Sequence, residues 1–144
     1  MLKRIINNVS FKFRRYLFRT RLEAVLAGKR KSPIIEVGEK DRRIGKTTEL
    51  AIKALLDYPS FVVEGTLQQK KYVQESLSKY LDEYIPVATP EELLHSSPLP
   101  YTYTNRSIRS KVKLYVDESV TETQLMSLVN AGYNVKVYLR YFYE

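Results

Sequence analysis

The sequence has no cysteine and only one histidine, His95, among its 144 residues. Without cysteine there is neither a disulfide framework nor a metal site built from thiolates, and one histidine cannot form a histidine cluster. No apolar run approaches the roughly 18 residues needed to cross a bilayer, and the N-terminus lacks the continuous apolar segment of a signal peptide. We therefore expect a cytoplasmic protein whose function depends on other side chains.

Positive charge is unevenly distributed along the chain. Residues 1–32 contain ten Lys or Arg residues against one acid, Glu23, which gives this segment a net charge of +9. Residues 33–144 contain 14 Lys or Arg residues against 15 Asp or Glu residues, a net charge of −1. Because a local excess of one charge favours an oppositely charged partner, the first segment indicates a polyanion, either a nucleic acid or an acidic membrane surface.

Strand and helix patterns alternate along the chain. β-Branched and apolar runs predict five strands, at 33–37, 61–65, 84–88, 111–119 and 134–143. Helices are predicted at 2–27, at 46–57 and after three capping patterns that begin at Thr66, Thr89 and Thr121. This alternation predicts the α/β class, with a parallel sheet covered by helices on both faces. The expected organisation is a basic helical extension and linker, 1–32, followed by one domain, 33–144.

The stretch GEKDRRIGKTTEL begins at Gly38 and lies between the first predicted strand and the next helix. It ends like the phosphate-binding loop G-x-x-x-x-G-K-[ST]. In that loop backbone N–H groups surround phosphates, a lysine reaches the β- and γ-phosphates, and a hydroxyl binds Mg²⁺. Gly45, Lys46 and Thr47 supply the second half of the pattern. The first glycine of the pattern would occupy the position of Lys40, so the conformation of the loop stays open.

A pair of acids, Asp117 and Glu118, ends the strand predicted by KLYVDE, residues 113–118. A carboxylate at the carboxyl end of a strand can hold Mg²⁺ through water, and a second one beside it can orient or activate an attacking water. The loop and the acid pair, in this order and on these elements, together favour a nucleotide site over a surface turn and a solvated strand end.

Four stretches resemble P-loop NTPases whose B motif ends in Asp-Glu, especially the first ATPase domain of superfamily-two helicases and phage packaging motors. RRIGKTT, 42–48, resembles the A motif of phage ATPases, in which arginines often replace the early glycine. VVEGTLQQKKYV, 62–73, resembles the segment where helicases contact a DNA backbone, and IPVATPEELL, 85–94, resembles their V-A-T-P-x-x-L segment. YVDES, 115–119, resembles the helicase Asp-Glu box.

This resemblance implies a three-layer P-loop NTPase fold of the RecA-like type, with a mostly parallel five-stranded sheet and a basic N-terminal helix. It implies ATP and Mg²⁺ as cofactors, with ATP bound by Gly45, Lys46, Thr47 and Thr48. Lys46 would neutralise the transferred phosphate and Thr47 would bind Mg²⁺. Asp117 would hold the water shell of the metal, and Glu118 would act on the attacking water.

The implied function is an ATPase coupled to nucleic acid, encoded by a phage or mobile element and located in the host cytoplasm. The resemblance has two departures: the last predicted strand reads VYLRYF and lacks a Ser-Ala-Thr signature, and the chain has no second ATPase domain. An arginine finger would therefore come from a neighbouring subunit of a homo-oligomer or from a partner.

Three interpretations of the basic N-terminal helix stay open. It packs on the body with solvated arginines, contacts nucleic acid, or lies in a membrane surface with Phe11, Phe13 and Phe18 near a cationic face. The residues predicted to contact nucleic acid are Arg14, Arg15, Arg19, Arg21, Lys29, Arg30 and Lys31. The loop 101–111 interleaves tyrosines and arginines, which suits stacking on single strands, although the same tyrosines can cover the edge of the sheet.

Two other functions also stay open. One is a P-loop scaffold with little or no catalysis that binds DNA or a membrane through the basic helix. The other is a small-molecule kinase, because GKTTEL also resembles thymidine kinase. The absence of the zinc-binding cysteines of that family counts against the kinase.

Overall fold

A computed structural model of the protein describes residues 2–41, 44–95 and 106–142. The helices in these ranges are α1 (Leu2–Leu26), α2 (Lys46–Leu55), α3 (Leu67–Leu81), α4 (Pro90–His95), α5 (Arg106–Arg109) and α6 (Glu122–Asn130), with a 3₁₀ turn at Glu39–Asp41. The strands are β1 (Ile34–Val37), β2 (Ser60–Val63), β3 (Val87–Ala88), β4 (Lys113–Val116) and β5 (Asn134–Tyr141). Arg42, Arg43 and most of the predicted tyrosine and arginine loop lie outside the described residues.

The five strands form one sheet in the order β1-β5-β4-β2-β3, in which all neighbouring strands are parallel. This confirms the predicted α/β class and the five-stranded sheet. β3 is shorter than the predicted strand 84–88, because Pro86 has no N–H to donate and contributes only a carbonyl oxygen, which accepts from Val62 N. The parallel arrangement brings the carboxyl ends of the strands to one edge, where ligands bind in open α/β sheets.

Two hydrophobic cores lie on opposite faces of the sheet. Because side chains alternate between faces along a strand, Val62 and Tyr115 enter one core while Val63 and Val116 enter the other. The first core also contains buried residues of α1, α2 and α3, and the second contains buried residues of α4 and α6. The fold therefore has three layers, with helices on both faces of a parallel sheet.

Three helices begin at the threonines that the capping patterns predict. Thr66 Oγ1 accepts a hydrogen bond from the backbone N–H three residues later, at the start of α3. Thr89 and Glu92 bond reciprocally, each side chain accepting from the backbone N–H of the other, and Thr121 and Gln124 do the same. These bonds satisfy N–H groups that have no partner within the helix and set where α3, α4 and α6 begin.

Helix α1 belongs to the first core. Phe18, Leu22 and Val25 are buried on its inner face, and the helix contacts α2 and β5. The structure therefore shows α1 packed on the body, while its contact with nucleic acid or with a membrane stays a prediction. Removing residues 1–30 would therefore take buried side chains of α1 out of the first core.

Replacing Leu22 by alanine tests whether α1 stabilises the domain. Leu22 is completely buried, so Leu22→Ala should lower the free energy of unfolding by about 2–5 kcal/mol. Leu17→Ala is the matched control on the same helix, where the leucine is 38% exposed, and it should cost less than about 1 kcal/mol. Urea denaturation measures both changes, and equal stability of the two variants would contradict the packing of α1.

Candidate functional site

The predicted loop and acid pair meet at the carboxyl edge of the sheet. The loop follows β1 and leads into α2, while the acids follow β4. One strand, β5, lies between β1 and β4, so the two strand ends are about 10 Å apart. Helix α2 begins at Lys46 and brings its first turn to the acids, which is where the sequence-predicted site residues come together.

Direct contacts join the start of α2 to the acid pair. Thr47 Oγ1 donates a hydrogen bond to Asp117 Oδ2 at 2.7 Å, across 70 positions of sequence. Lys46 is 6% exposed, and its Nζ lies 3.5 Å from Glu118 Oε1. Lys46 Nζ also donates to the carbonyl oxygen of Asp41 at 2.6 Å. The ammonium group of Lys46 is thus held between the loop and the acid pair.

The two described ends of the loop, Gly38–Asp41 and residues 44–45, explain its altered glycine. Gly45 has φ +87° and ψ +29°, a left-handed conformation that favours glycine, directly before α2. Lys40, at the position of the missing glycine, lies within the 3₁₀ turn, where the backbone is right-handed and accepts any side chain. The turn is closed by two bonds between Gly38 and Asp41, one from Asp41 N to Gly38 O and one from Gly38 N to Asp41 Oδ2.

Glu64 is a site residue that the sequence analysis did not identify. It follows β2, which pairs with β4 so that Val63 lies opposite Val116, and the next residues, Glu64 and Asp117, are therefore neighbours. Glu64 is 1% exposed, and its Oε2 accepts from Ser119 Oγ at 2.6 Å. Its Oε1 meets no hydrogen-bond partner among the described residues.

Gly65 follows β2, and its backbone bonds to residues that follow β4. Its N–H donates to Ser119 Oγ at 2.9 Å, and Gln124 Nε2 donates to its carbonyl oxygen at 3.2 Å. A Cβ at this position would lie 2.2 Å from the carbonyl oxygen of Ser119, so the backbones are too close for any side chain. The three acids of the site, Glu64, Asp117 and Glu118, are held by this junction.

A cavity of about 260 Å³ opens beside the acids, between α2, α3 and the ends of β2 and β4. Its polar lining includes Thr47, Thr48, Glu64, Gln69, Asp117 and Glu118. Among the described residues, no group of three or more His, Cys, Asp or Glu side chains is arranged to hold a metal ion. A cation in this cavity would therefore need oxygen ligands from water or from a bound molecule.

Burial is the main cause of an altered pKa at Glu64. Together with the charge of Asp117 and the hydrogen bond to it, burial raises the pKa of Glu64 from 4.5 to about 10. At pH values between 4.5 and about 10, Glu64 is ionised in the unfolded chain but stays protonated in the native protein. The contribution of this group to stability is therefore full below pH 4.5 and is lost as the pH rises towards 10.

Glu64→Gln should remove this pH dependence, because the amide can donate to Asp117 and accept from Ser119 without a titrating proton. Between pH 6 and pH 9 the free energy of unfolding of the wild type should fall relative to that of Glu64→Gln, by about 1 kcal/mol per pH unit. Urea denaturation across this range measures the difference. Parallel stability profiles for the two proteins would show that Glu64 does not hold a proton in the native state.

Three of the seven basic residues predicted to contact nucleic acid are engaged within the chain. Arg14 Nη1 donates to the carbonyl oxygen of Lys40 at 2.7 Å. Arg15 Nε and Arg19 Nη2 lie 3.2 and 2.7 Å from the same atom, Glu49 Oε1. In the structure these three arginines bond to the loop and to α2, and their predicted contact with nucleic acid stays a prediction.

The other four basic residues are exposed, and the phenylalanines of α1 differ from one another in burial. Arg21 is exposed beside a groove between α1 and the end of β1, and residues 29–31 are exposed after the end of α1. Phe11 and Phe13 are exposed, but Phe18 is buried in the core, so the predicted membrane face is wrong for Phe18. None of the described helices has both the length and the apolar character required to cross a bilayer.

Comparisons of the chain with protein-family models, with curated proteins and with solved structures found no match.

Proposed function

We propose that the protein is a P-loop NTPase that binds ATP with Mg²⁺, and that its ATP hydrolysis is coupled to nucleic acid. The observation that carries the proposal is the meeting of two motifs that are distant in sequence. Thr47 bonds to Asp117 and Lys46 pairs with Glu118 at the carboxyl edge of a parallel sheet. A surface turn with a chance lysine would give no reason for these four side chains to converge.

Phosphate binding depends on Lys46 and on the start of α2. The N-terminus of a helix presents free N–H groups and partial positive charge, which favour a bound anion. Lys46 Nζ lies at this helix start, against Asp41 O and Glu118. A phosphate oxygen would replace these partners and keep the buried ammonium group paired, which limits the desolvation cost of binding.

The donor set around Thr47 fits Mg²⁺. This ion is bound in proteins through one or two carboxylates, together with water and substrate phosphates. Thr47 Oγ1 and Asp117 Oδ2 lie in contact at the mouth of the polar cavity, and no protein cage for a metal is present among the described residues. Thr47 would bind Mg²⁺ and Asp117 would hold its water shell, and the ion would neutralise charge on the phosphates.

Glu118 is the residue best placed to act on water. It is the more accessible member of the acid pair, with a side chain that is 32% exposed, and it lines the cavity beside Lys46. Its carboxylate would accept a hydrogen bond from water and orient it towards the terminal phosphate. Glu64 lies buried next to Asp117, and its carboxyl group accepts a hydrogen bond from Ser119.

Substitutions at three residues should separate binding from hydrolysis. Lys46→Ala should weaken ATP binding at least tenfold, about 1.4 kcal/mol, because the group that neutralises phosphate is lost. Asp117→Asn should mainly weaken the Mg²⁺-dependent part of binding, and Glu118→Gln should retain binding but slow turnover. Calorimetry and phosphate release measure these effects.

The matched control is Lys53→Ala, which removes a lysine from the same helix at a surface pair with Glu23 and should leave both readouts unchanged. Wild-type protein that shows no binding at millimolar ATP with Mg²⁺ would contradict the proposal. Binding without any turnover, unaltered by Glu118→Gln, would instead favour the P-loop scaffold. Equal loss of binding in Asp117→Asn and Glu118→Gln would contradict their separate roles.

The nucleic-acid part of the proposal rests on the basic residues that the fold leaves exposed. Residues 29–31, Lys-Arg-Lys, follow α1 and are exposed to solvent. Each phosphate contact of a cation releases counterions, so affinity for duplex should fall with salt by a log–log slope of about −0.9 per contact. Replacing Lys29, Arg30 and Lys31 by glutamine should therefore reduce that slope by roughly 2–3.

Lys79→Gln on α3 serves as the control, because this lysine is exposed on the near-neutral body and lies outside the segment 62–73 that resembles a DNA contact. The control should keep the slope of the wild type. An unchanged slope in the residue 29–31 variant would place nucleic-acid binding elsewhere. Sedimentation with anionic but not neutral vesicles, without DNA binding, would favour a membrane surface as the partner.

A further inference from the structure

Arg15 of α1 lies directly on the phosphate loop. A Cβ built on Gly45 would lie 3.1 Å from Arg15 Cζ and 3.3 Å from Arg15 Nη1, so the guanidinium group packs against the glycine itself. Gly45 immediately precedes Lys46 at the start of α2. Glycine is therefore favoured at position 45 for two reasons. Its φ angle is positive, and the Arg15 guanidinium group occupies the space that a side chain would need.

Arg15 shares its counter-charge with a second arginine. Arg15 and Arg19 both pair with Glu49, whose side chain is almost completely buried. Burial alone would raise the pKa of Glu49, but the hydrogen bonds and charges of Arg19 and Arg15 hold it below its usual value. Two guanidinium groups around one carboxylate leave one positive charge in excess beside the helix start, where the dipole of α2 also favours an anion.

The geometry allows a ligand to reach this charge. The Arg15 side chain is 30% exposed, whereas Glu49 is closed off beneath it. Arg14 holds the other end of the loop through the carbonyl oxygen of Lys40, so α1 lies along the loop. A guanidinium group is planar and presents several donors at once, which suits the oxygens of a phosphate better than an ammonium group does.

We propose that Arg15 is a phosphate-binding residue of the nucleotide site, supplied by α1 of the same chain and aimed at the inner phosphates of a nucleoside di- or triphosphate. Arg19 has a different role, which is to hold Glu49 and thereby Arg15. This inference rests on the proposed nucleotide function. If Arg15 binds the phosphates, the chain supplies one arginine to its own site, in addition to any arginine finger from a neighbouring subunit or partner.

The test compares two arginines that share one partner. Arg15→Gln and Arg19→Gln each remove one pair with Glu49, and Arg15 is the one whose guanidinium group packs closest against Gly45. Calorimetric titration with ADP and with ATP, both with Mg²⁺, should show at least tenfold weaker binding for Arg15→Gln and less than threefold for Arg19→Gln. Arg15→Lys should recover part of the lost affinity, because it restores the charge without the planar group. Inorganic pyrophosphate should compete with ADP in the wild type and at least tenfold less well in Arg15→Gln.

Thermal unfolding of each variant separates folding from binding. Equal losses of affinity in Arg15→Gln and Arg19→Gln would overturn the inference and leave both arginines as supports of Glu49. Wild-type affinity in Arg15→Gln would overturn it as well, while leaving the proposed nucleotide function intact. If Arg15→Gln does not fold, Arg15→Lys decides, and unchanged ADP and pyrophosphate affinities in that variant would overturn the inference. Absence of binding by the wild type would overturn both this inference and the proposed function.

Discussion

The hydrogen bond from Thr47 to Asp117 is the contact on which the candidate site depends. It joins the first turn of α2 to the end of β4 at 2.7 Å, although the residues are 70 positions apart. A parallel sheet makes the contact attainable, because it brings the ends of β1 and β4 to one edge with only β5 between them. Lys46 and Glu118 are brought within 3.5 Å by the same two elements.

The site concentrates polar groups that are costly to bury. Lys46, Glu49, Glu64 and Asp117 are all nearly inaccessible to solvent. Each has a specific partner: an acid and a carbonyl oxygen for Lys46, two arginines for Glu49, the Ser119 hydroxyl for Glu64 and the Thr47 hydroxyl for Asp117. Burial at this density costs stability, and such clusters of buried ionisable groups are concentrated at functional sites in proteins.

Local patterns were sufficient to predict much of the fold and the two motifs. Capping threonines located α3, α4 and α6, and β-branched runs located the strands, because these signals act over a few residues. Glu64 was missed because its importance arises from the pairing of β2 with β4, which are not consecutive. The charge of residues 1–32 concealed the buried face of α1, since counting arginines does not reveal that Arg15 and Arg19 face Glu49.

A crystal structure with Mg²⁺ and a non-hydrolysable ATP analogue tests the central claim most directly. The account predicts that Lys46 Nζ leaves Asp41 O and Glu118 for a phosphate oxygen. It also predicts that Thr47 Oγ1 turns from Asp117 to the metal, with the inner phosphates beside Gly45. A nucleotide bound elsewhere, with Lys46 still bonded to Asp41 O and Thr47 still bonded to Asp117, would contradict it.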